Sequence, residues 1–190
     1  MRVIGGSARG RVLKSLPPPR ASGRPGVRPT SDLVRGVIFD MLDAMGASYA
    51  RVLDLYAGTG ALGIEALSRG EGTADFVEQD AEAARIIRAN LALTGFDARA
   101  NVHVLPVARA APRLRGPYTL VLADPPYYDT GAIAAVEAMA GPPHIAEGSV
   151  LVLEHHRRTA APDALGTMAL YRRRRHGDTV VSIYEQEGPA

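Results

Sequence analysis

The sequence has no cysteine. Disulfides and thiol chemistry are excluded, and the composition fits a reducing compartment. No apolar run nears the roughly 20 residues that a membrane helix needs, so no membrane partner is expected. No signal-peptide pattern opens the chain, and the expected location is cytoplasmic. No internal repeat is evident. Lysine is almost missing, since Lys14 is the single lysine among 22 basic residues. Arginine therefore carries the positive charge. Metal-ligand patterns are equally thin. Glu154, His155 and His156 adjoin, but neighbours on a strand point to opposite faces and make poor joint ligands. No metal is expected.

What is present suffices for one domain with a core and a small appendage: 190 residues, 46% hydrophobic. The net charge of +2 hides an asymmetry. Residues 1–35 hold Arg2, Arg9, Arg11, Lys14, Arg20, Arg24, Arg28 and Arg35 against Asp32 alone. Such an arm suggests a polyanionic partner, with a merely solvated tail as the alternative. Residues 2–5 and 11–14 read as a β-hairpin around Gly5 to Gly10. Residues 16–29, rich in proline, glycine and arginine, read as a linker. The expected division is therefore 1–29, a basic hairpin and arm, and 30–190, the main domain. Thr30 or Ser31 is expected to cap a helix with Leu33, Val34, Val37, Ile38, Met41, Leu42 and Met45 inward, ended by Gly46. The start of that helix favours an anion, whether a cofactor carboxylate or a phosphate.

Two stretches carry the chemistry. Val52 to Leu67 reads as an apolar strand, a glycine turn and a helix start. Gly58 and Gly60 allow positive φ and let a ligand lie against the backbone. Gly58, Gly60 and Gly63 also spell G-x-G-x-x-G, which alone is weak, since any tight strand-to-helix turn can produce it. Asp54 precedes the turn, where a carboxylate can face a cationic ligand. Glu78 closes the next strand, residues 75–78. An acid there can accept both hydroxyls of an adenosine ribose. Residues 80–94 read as a helix with Ala84, Ile87 and Leu91 inward, and residues 101–105 as a third strand. The second stretch, Asp124-Pro125-Pro126-Tyr127, follows a fourth apolar strand over residues 118–122. A fifth strand is expected over residues 147–154. Arg172 to Arg175 then head a terminal hairpin with residues 179–185, two arginines on each face, as a solvated edge or a supplementary RNA patch. Strands alternate with helices, so the sheet is mostly parallel and ligands sit at its C-terminal edge.

Asp54-x-x-x-Gly58-x-Gly60 with Asp124-Pro125-Pro126-Tyr127 resembles S-adenosylmethionine-dependent amino-methyltransferases. Arg2 to Gly6, Arg9 to Arg11, Arg28 to Asp32, Ala61 to Gly70, and Gly177-Asp178-Thr179 leading to Tyr184-Glu185 narrow the resemblance. It is to RsmD, the bacterial 16S rRNA guanine-N2 methyltransferase family. That resemblance implies a Rossmann-like class I methyltransferase fold, a seven-stranded, mostly parallel sheet carrying the small N-terminal hairpin, with its last strand antiparallel. It implies S-adenosylmethionine as cofactor and S-adenosylhomocysteine as product. The donor is expected across Asp54, Tyr56, Ala57, Gly58, Thr59 and Gly60, with ribose on Glu78 beside Gln79. Thr30 can meet its carboxylate, and Val107 and Ala108 the adenine, through backbone and apolar contact. Asp124 and the Pro125 carbonyl are expected to hold the target amine. Pro126 stiffens the turn and Tyr127 stacks on the base. Arg2, Arg9, Arg11, Lys14, Arg28 and Arg35 are the expected RNA contacts. The implied partner is small-subunit rRNA, either as naked RNA or within a partly assembled 30S particle, met by a monomer. Three rivals remain open: a DNA adenine-N6 methyltransferase, a non-catalytic RNA-binding assembly factor, and an NAD enzyme.

Overall fold

A computed structural model describes residues 1–16 and 32–186. Arg28 and Thr30, with the RNA and cofactor contacts expected of them, and the helix cap expected of Thr30 or Ser31 lie outside the described residues.

Five strands lie parallel in the order β3, β2, β1, β4, β5: β1 (Arg51–Leu55), β2 (Thr73–Glu78), β3 (Ala100–Val104), β4 (Tyr118–Ala123) and β5 (Ile145–His156). β8 (Thr179–Glu185) runs antiparallel to β5, and β7 (Met168–His176) antiparallel to β8. A two-residue strand, β6 (Ala164–Leu165), ends the sheet and makes it eight-stranded. The seven expected strands are all present. The eighth is too short to leave a periodic signature.

Apolar residues fill both faces, as a covered parallel sheet requires. Val52, Phe76, Leu122, Val152 and Ile183 face one cluster, shared with α1 (Asp32–Ala44), α2 (Ala61–Arg69) and α3 (Ala81–Thr94). Leu53, Val77, Val121, Leu153 and Tyr184 face the other, shared with α4 (Ala132–Glu137). In α1 the buried stripe is Val34, Arg35, Ile38, Phe39 and Leu42. Leu33, expected inward, is 73% exposed because it sits off that stripe in the first turn. Asp80 caps α3 by accepting the amides of Glu82 and Ala83, a bond pair worth about 1 kcal/mol.

The N-terminal hairpin closes on one bridge, Arg2 with Val12. Val3, Ala8 and Leu13 are buried in the helix-side cluster. Glu65 of α2 accepts the amides of Ile4 and Gly5 at 2.8 and 2.7 Å, and Ser68 Oγ accepts that of Ala8 at 2.9 Å. The hairpin is thus clipped along α2.

Candidate active site

The chain winds outward from β1 to β2 and β3, then returns to place β4 on the other side of β1. That reversal is the topological switch point at which such sheets hold ligands. Registry sharpens it. Leu55 pairs with Val77 on one side and with Ala123 on the other. The next residue of each strand therefore emerges at one level: Tyr56, Glu78 and Asp124.

Tyr56 is the one non-glycine residue at positive φ among the described residues, at +58°. Gly58 and Gly60 follow at +56° and +79°. Such backbone is costly for a tyrosine and persists only when its surroundings hold it. Here the phenol lies near Asp129, and burial together with that carboxylate pushes Tyr56 up to about 12. Asp129 also takes the Gly131 amide on its carboxylate and donates its own amide to the Pro126 carbonyl. Asp129 thus neighbours the glycine loop through its carboxylate and is tied to the Asp-Pro-Pro-Tyr turn through its backbone.

The glycines divide their work. A Cβ built on Gly58 meets only the Tyr56 carbonyl, at 3.9 Å, so this position opens onto free space. A Cβ on Gly63 would lie 2.4 Å from the Phe76 ring and 3.0 Å from Asp54. Gly63 therefore serves close helix-to-strand packing. Glu78 takes the amides of Gly58 and Asp80, one on each oxygen, both at 2.8 Å. Each oxygen keeps a second lone pair for a hydroxyl donor. Gln79 is exposed beside it. Val107 is buried in a short 3₁₀ turn over residues 107–109, while Ala108 is exposed.

Asp54 corrects one expectation. It is 1% exposed and lies beneath the loop, with Oδ2 taking the Gly63 amide at 2.8 Å. It props the start of α2 rather than facing the open side. Burial pushes its carboxyl well above the ordinary range, against the Gly63 bond, and the charges of Asp124 and Glu78 push it further. The charges of Glu78 and Asp124 thus gather at this edge above the buried Asp54, an electrostatic setting that favours a cation.

Asp124 is half-buried behind a buried Pro125. Tyr127 is 45% exposed. Its hydroxyl is 2.7 Å from Thr179 Oγ1, and its ring lies 5.2 Å from that of His156. Asp129, His156 and Thr179 were not foreseen in these roles. Only Thr179 carried a signal, as part of the Gly177-Asp178-Thr179 motif.

Among the expected RNA contacts, Arg2, Arg9, Arg11 and Lys14 are exposed. Arg35 is not. It is wholly buried, bonded to the Arg2 carbonyl and to Asp32, with Nε 3.7 Å from Glu65. The assignment of Arg35 to RNA is therefore corrected: it is a structural cation. Glu65 beneath the hairpin is fully buried too, and removing one partner of such a pair costs about 3–5 kcal/mol. Asn90 of α3, also buried, was missed. Its amide donates to the carbonyls of Thr59, at 2.9 Å, and Lys14, at 3.1 Å, and its oxygen takes the Lys14 amide at 2.7 Å. An asparagine on an apolar helix face was the available clue. His155 is turned inward, its Nε2 2.9 Å from Ser182 Oγ.

The sheet order, the switch-point loop and the acid row define a class I methyltransferase. The model of the family described as "Conserved hypothetical protein 95" matches residues 1–185. Ribosomal RNA small subunit methyltransferase D of Escherichia coli K12 is 31% identical, over 98% of this chain and 90% of its own length. YlbH of Bacillus subtilis is 34% identical, over 99% of this chain and all of its own. The solved structure of yhhF from Escherichia coli superposes with a TM-score of 0.80 at 29% identity, covering 100% of this chain and 99% of that one. The chain belongs to this family, the RsmD family. Among the described residues no helix is long and apolar enough to cross a membrane.

Proposed function

We propose that the protein transfers a methyl group from S-adenosylmethionine to the exocyclic N2 of a guanine in small-subunit rRNA. The observation that carries this is the single level at which β1, β2 and β4 deliver the glycine loop, Glu78 and Asp124 to Tyr127, in a chain of the RsmD family. The residues fit the donor. Gly58 leaves backbone open to it, Glu78 has lone pairs for a ribose, and the carboxylate row suits a sulfonium. When bound, S-adenosylmethionine supplies a methyl carbon activated by that sulfonium.

The chain's own task is to present the amine. The guanine N2 lone pair is delocalised into the ring and is a poor nucleophile. Asp124 and the Pro125 carbonyl accept its N–H groups, hold it in place and favour a pyramidal nitrogen. The two prolines keep these acceptors aimed. Tyr127 stacks on the base, a contact worth about 1–3 kcal/mol. Placement then supplies much of the rate. A base edge inside a duplex is out of reach, so the guanine is unpaired or flipped. The exposed arginines of the hairpin hold the surrounding backbone. The substrate is rRNA in a partly assembled 30S particle, and the enzyme meets it in the cytoplasm as a monomer.

Labelled methyl transfer to the rRNA of partly assembled 30S particles, with the product nucleoside identified, tests this reading. N2-methylguanine is expected. Asp124→Ala should lower kcat and kcat/KM together, by about 10²-fold or more. Methylation at adenine N6, or an Asp124→Ala enzyme with near-wild-type rate, would overturn it.

A further inference from the structure

The terminal hairpin carries Arg172-Arg173-Arg174-Arg175 on β7, a strand without an acidic residue. All four are exposed. Directly opposed residues of an antiparallel pair share a face. Arg173 lies opposite Ser182 and Arg175 opposite Val180. Both are used within the protein: Arg173 bonds Ser182 Oγ and the Ala161 carbonyl, and Arg175 the Gly177 carbonyl. Arg172 lies opposite Ile183 and Arg174 opposite Val181, on the face that packs with α1 and α2. Among the described residues neither has a carboxylate within salt-bridge distance. Arg172 rests over the ring of Tyr171, 5.4 Å away, and that ring is 50% exposed.

This face leads to the site. Thr179, which holds the Tyr127 hydroxyl, lies opposite His156 on one side and His176 on the other. At about 3.4 Å per residue, Arg174 and Arg172 follow that row by roughly 7 and 14 Å. The basic N-terminal hairpin packs on the same side of the sheet. Clustered exposed arginines beside an exposed aromatic ring combine the features that hold single-stranded nucleic acid. Resting on the reading above, we infer that Arg172 and Arg174, with Tyr171, form a second RNA-backbone track. It would grip the strand flanking the target guanine on the side of Tyr127 away from the N-terminal hairpin. The competing account is protection of the sheet edge, since β6 covers β7 only at Met168 and Ala169.

The test is titration of partly assembled 30S particles across a salt series. Two lost phosphate contacts should flatten the slope of log K against log salt by about 1.4, at roughly 0.7 per contact for a single strand. Arg172→Ala/Arg174→Ala should show that loss and keep wild-type affinity for S-adenosylhomocysteine. Arg172→Lys/Arg174→Lys should restore most of the slope. In the wild type, RNA should shield both arginines from phenylglyoxal, a readout independent of how the variants fold. An unchanged slope, or arginines modified as fast with RNA as without, would overturn the track. Self-association of the alanine variant with an unchanged slope would establish the edge role instead. Failure of wild-type protein to make N2-methylguanine would sink the function reading, whatever the slope.

Discussion

Gly58→Ala asks whether the loop's openness is a binding surface or merely a turn. The built Cβ touches nothing nearer than 3.9 Å, so the apo protein has room for it. The remaining cost is backbone. Gly58 sits at φ +56°, and the left-handed region costs a residue with Cβ about 1–2 kcal/mol. At about 2–4 °C per kcal/mol for a chain of this size, the melting temperature should fall by roughly 2–8 °C. Gly95 is a matched control. It sits at φ +78°, its Cβ also meets nothing within 4 Å, and it ends α3 at the end opposite the Asp80 cap. Gly95→Ala carries the same strain without the site. A methyl group intruding on a fitted ligand costs about 1–3 kcal/mol, or roughly 5- to 150-fold in Kd. Calorimetric titration of S-adenosylhomocysteine should show that loss for Gly58→Ala alone, while both variants lose similar thermal stability. Equal affinities in the two would refute a ligand lying against Gly58.

Two further outcomes follow from contacts at the site. Tyr127→Phe and Thr179→Val break the same bond, so each should slow single-turnover transfer by about 2- to 10-fold, the worth of one net hydrogen bond. The double variant should be no slower, and Tyr127→Ala far worse. A dead Tyr127→Phe beside a normal Thr179→Val would assign the hydroxyl to the substrate. Asp54→Asn keeps an acceptor for the Gly63 amide and removes a carboxyl whose affinity for its proton burial has raised. A raised folded value means that the stability tied to this proton is full below about pH 4, the unfolded value, and is lost as pH rises through the folded one. The variant's melting temperature should therefore gain on wild type as pH rises from about 4, and parallel pH profiles would contradict the buried position.

The strands, the glycine loop and the Asp-Pro-Pro-Tyr turn were legible because each is written in consecutive residues. Apolar runs without alternation announced strands covered on both faces, and the structure has them within one or two residues. The ties between stretches were not legible. Tyr56 with Asp129, Tyr127 with Thr179, and Asn90 with Thr59 and Lys14 join residues far apart in the chain. No periodicity encodes such pairs. Asp54 was placed at the right strand end but given the wrong outlook. Its position in the motif was visible, whereas the Gly63 amide that draws it under the loop depends on how closely α2 packs.

The N-terminal arm shows the same limit from the side of charge. Its basicity is a property of composition and was plain, so an appendage for RNA was a natural reading. Composition does not distinguish an arginine that meets solvent from one that neutralises a buried acid. Arg35 does the second, and it lies on α1 behind the hairpin, whose Ile4 and Gly5 amides share Glu65 with it. Lys14 leaves its charge exposed while its backbone is bound to Asn90, which also holds the Thr59 carbonyl of the glycine loop. The hairpin therefore both offers arginines and closes the core over α2. Truncating it would strip Val3, Ala8 and Leu13 from that core and disturb the loop through Asn90. Loss of RNA binding after such a truncation would say little about phosphate contact. Charge reversal at the exposed Arg9 and Arg11 separates the two roles, because those side chains leave the hairpin's buried residues and its bonds to Glu65 in place.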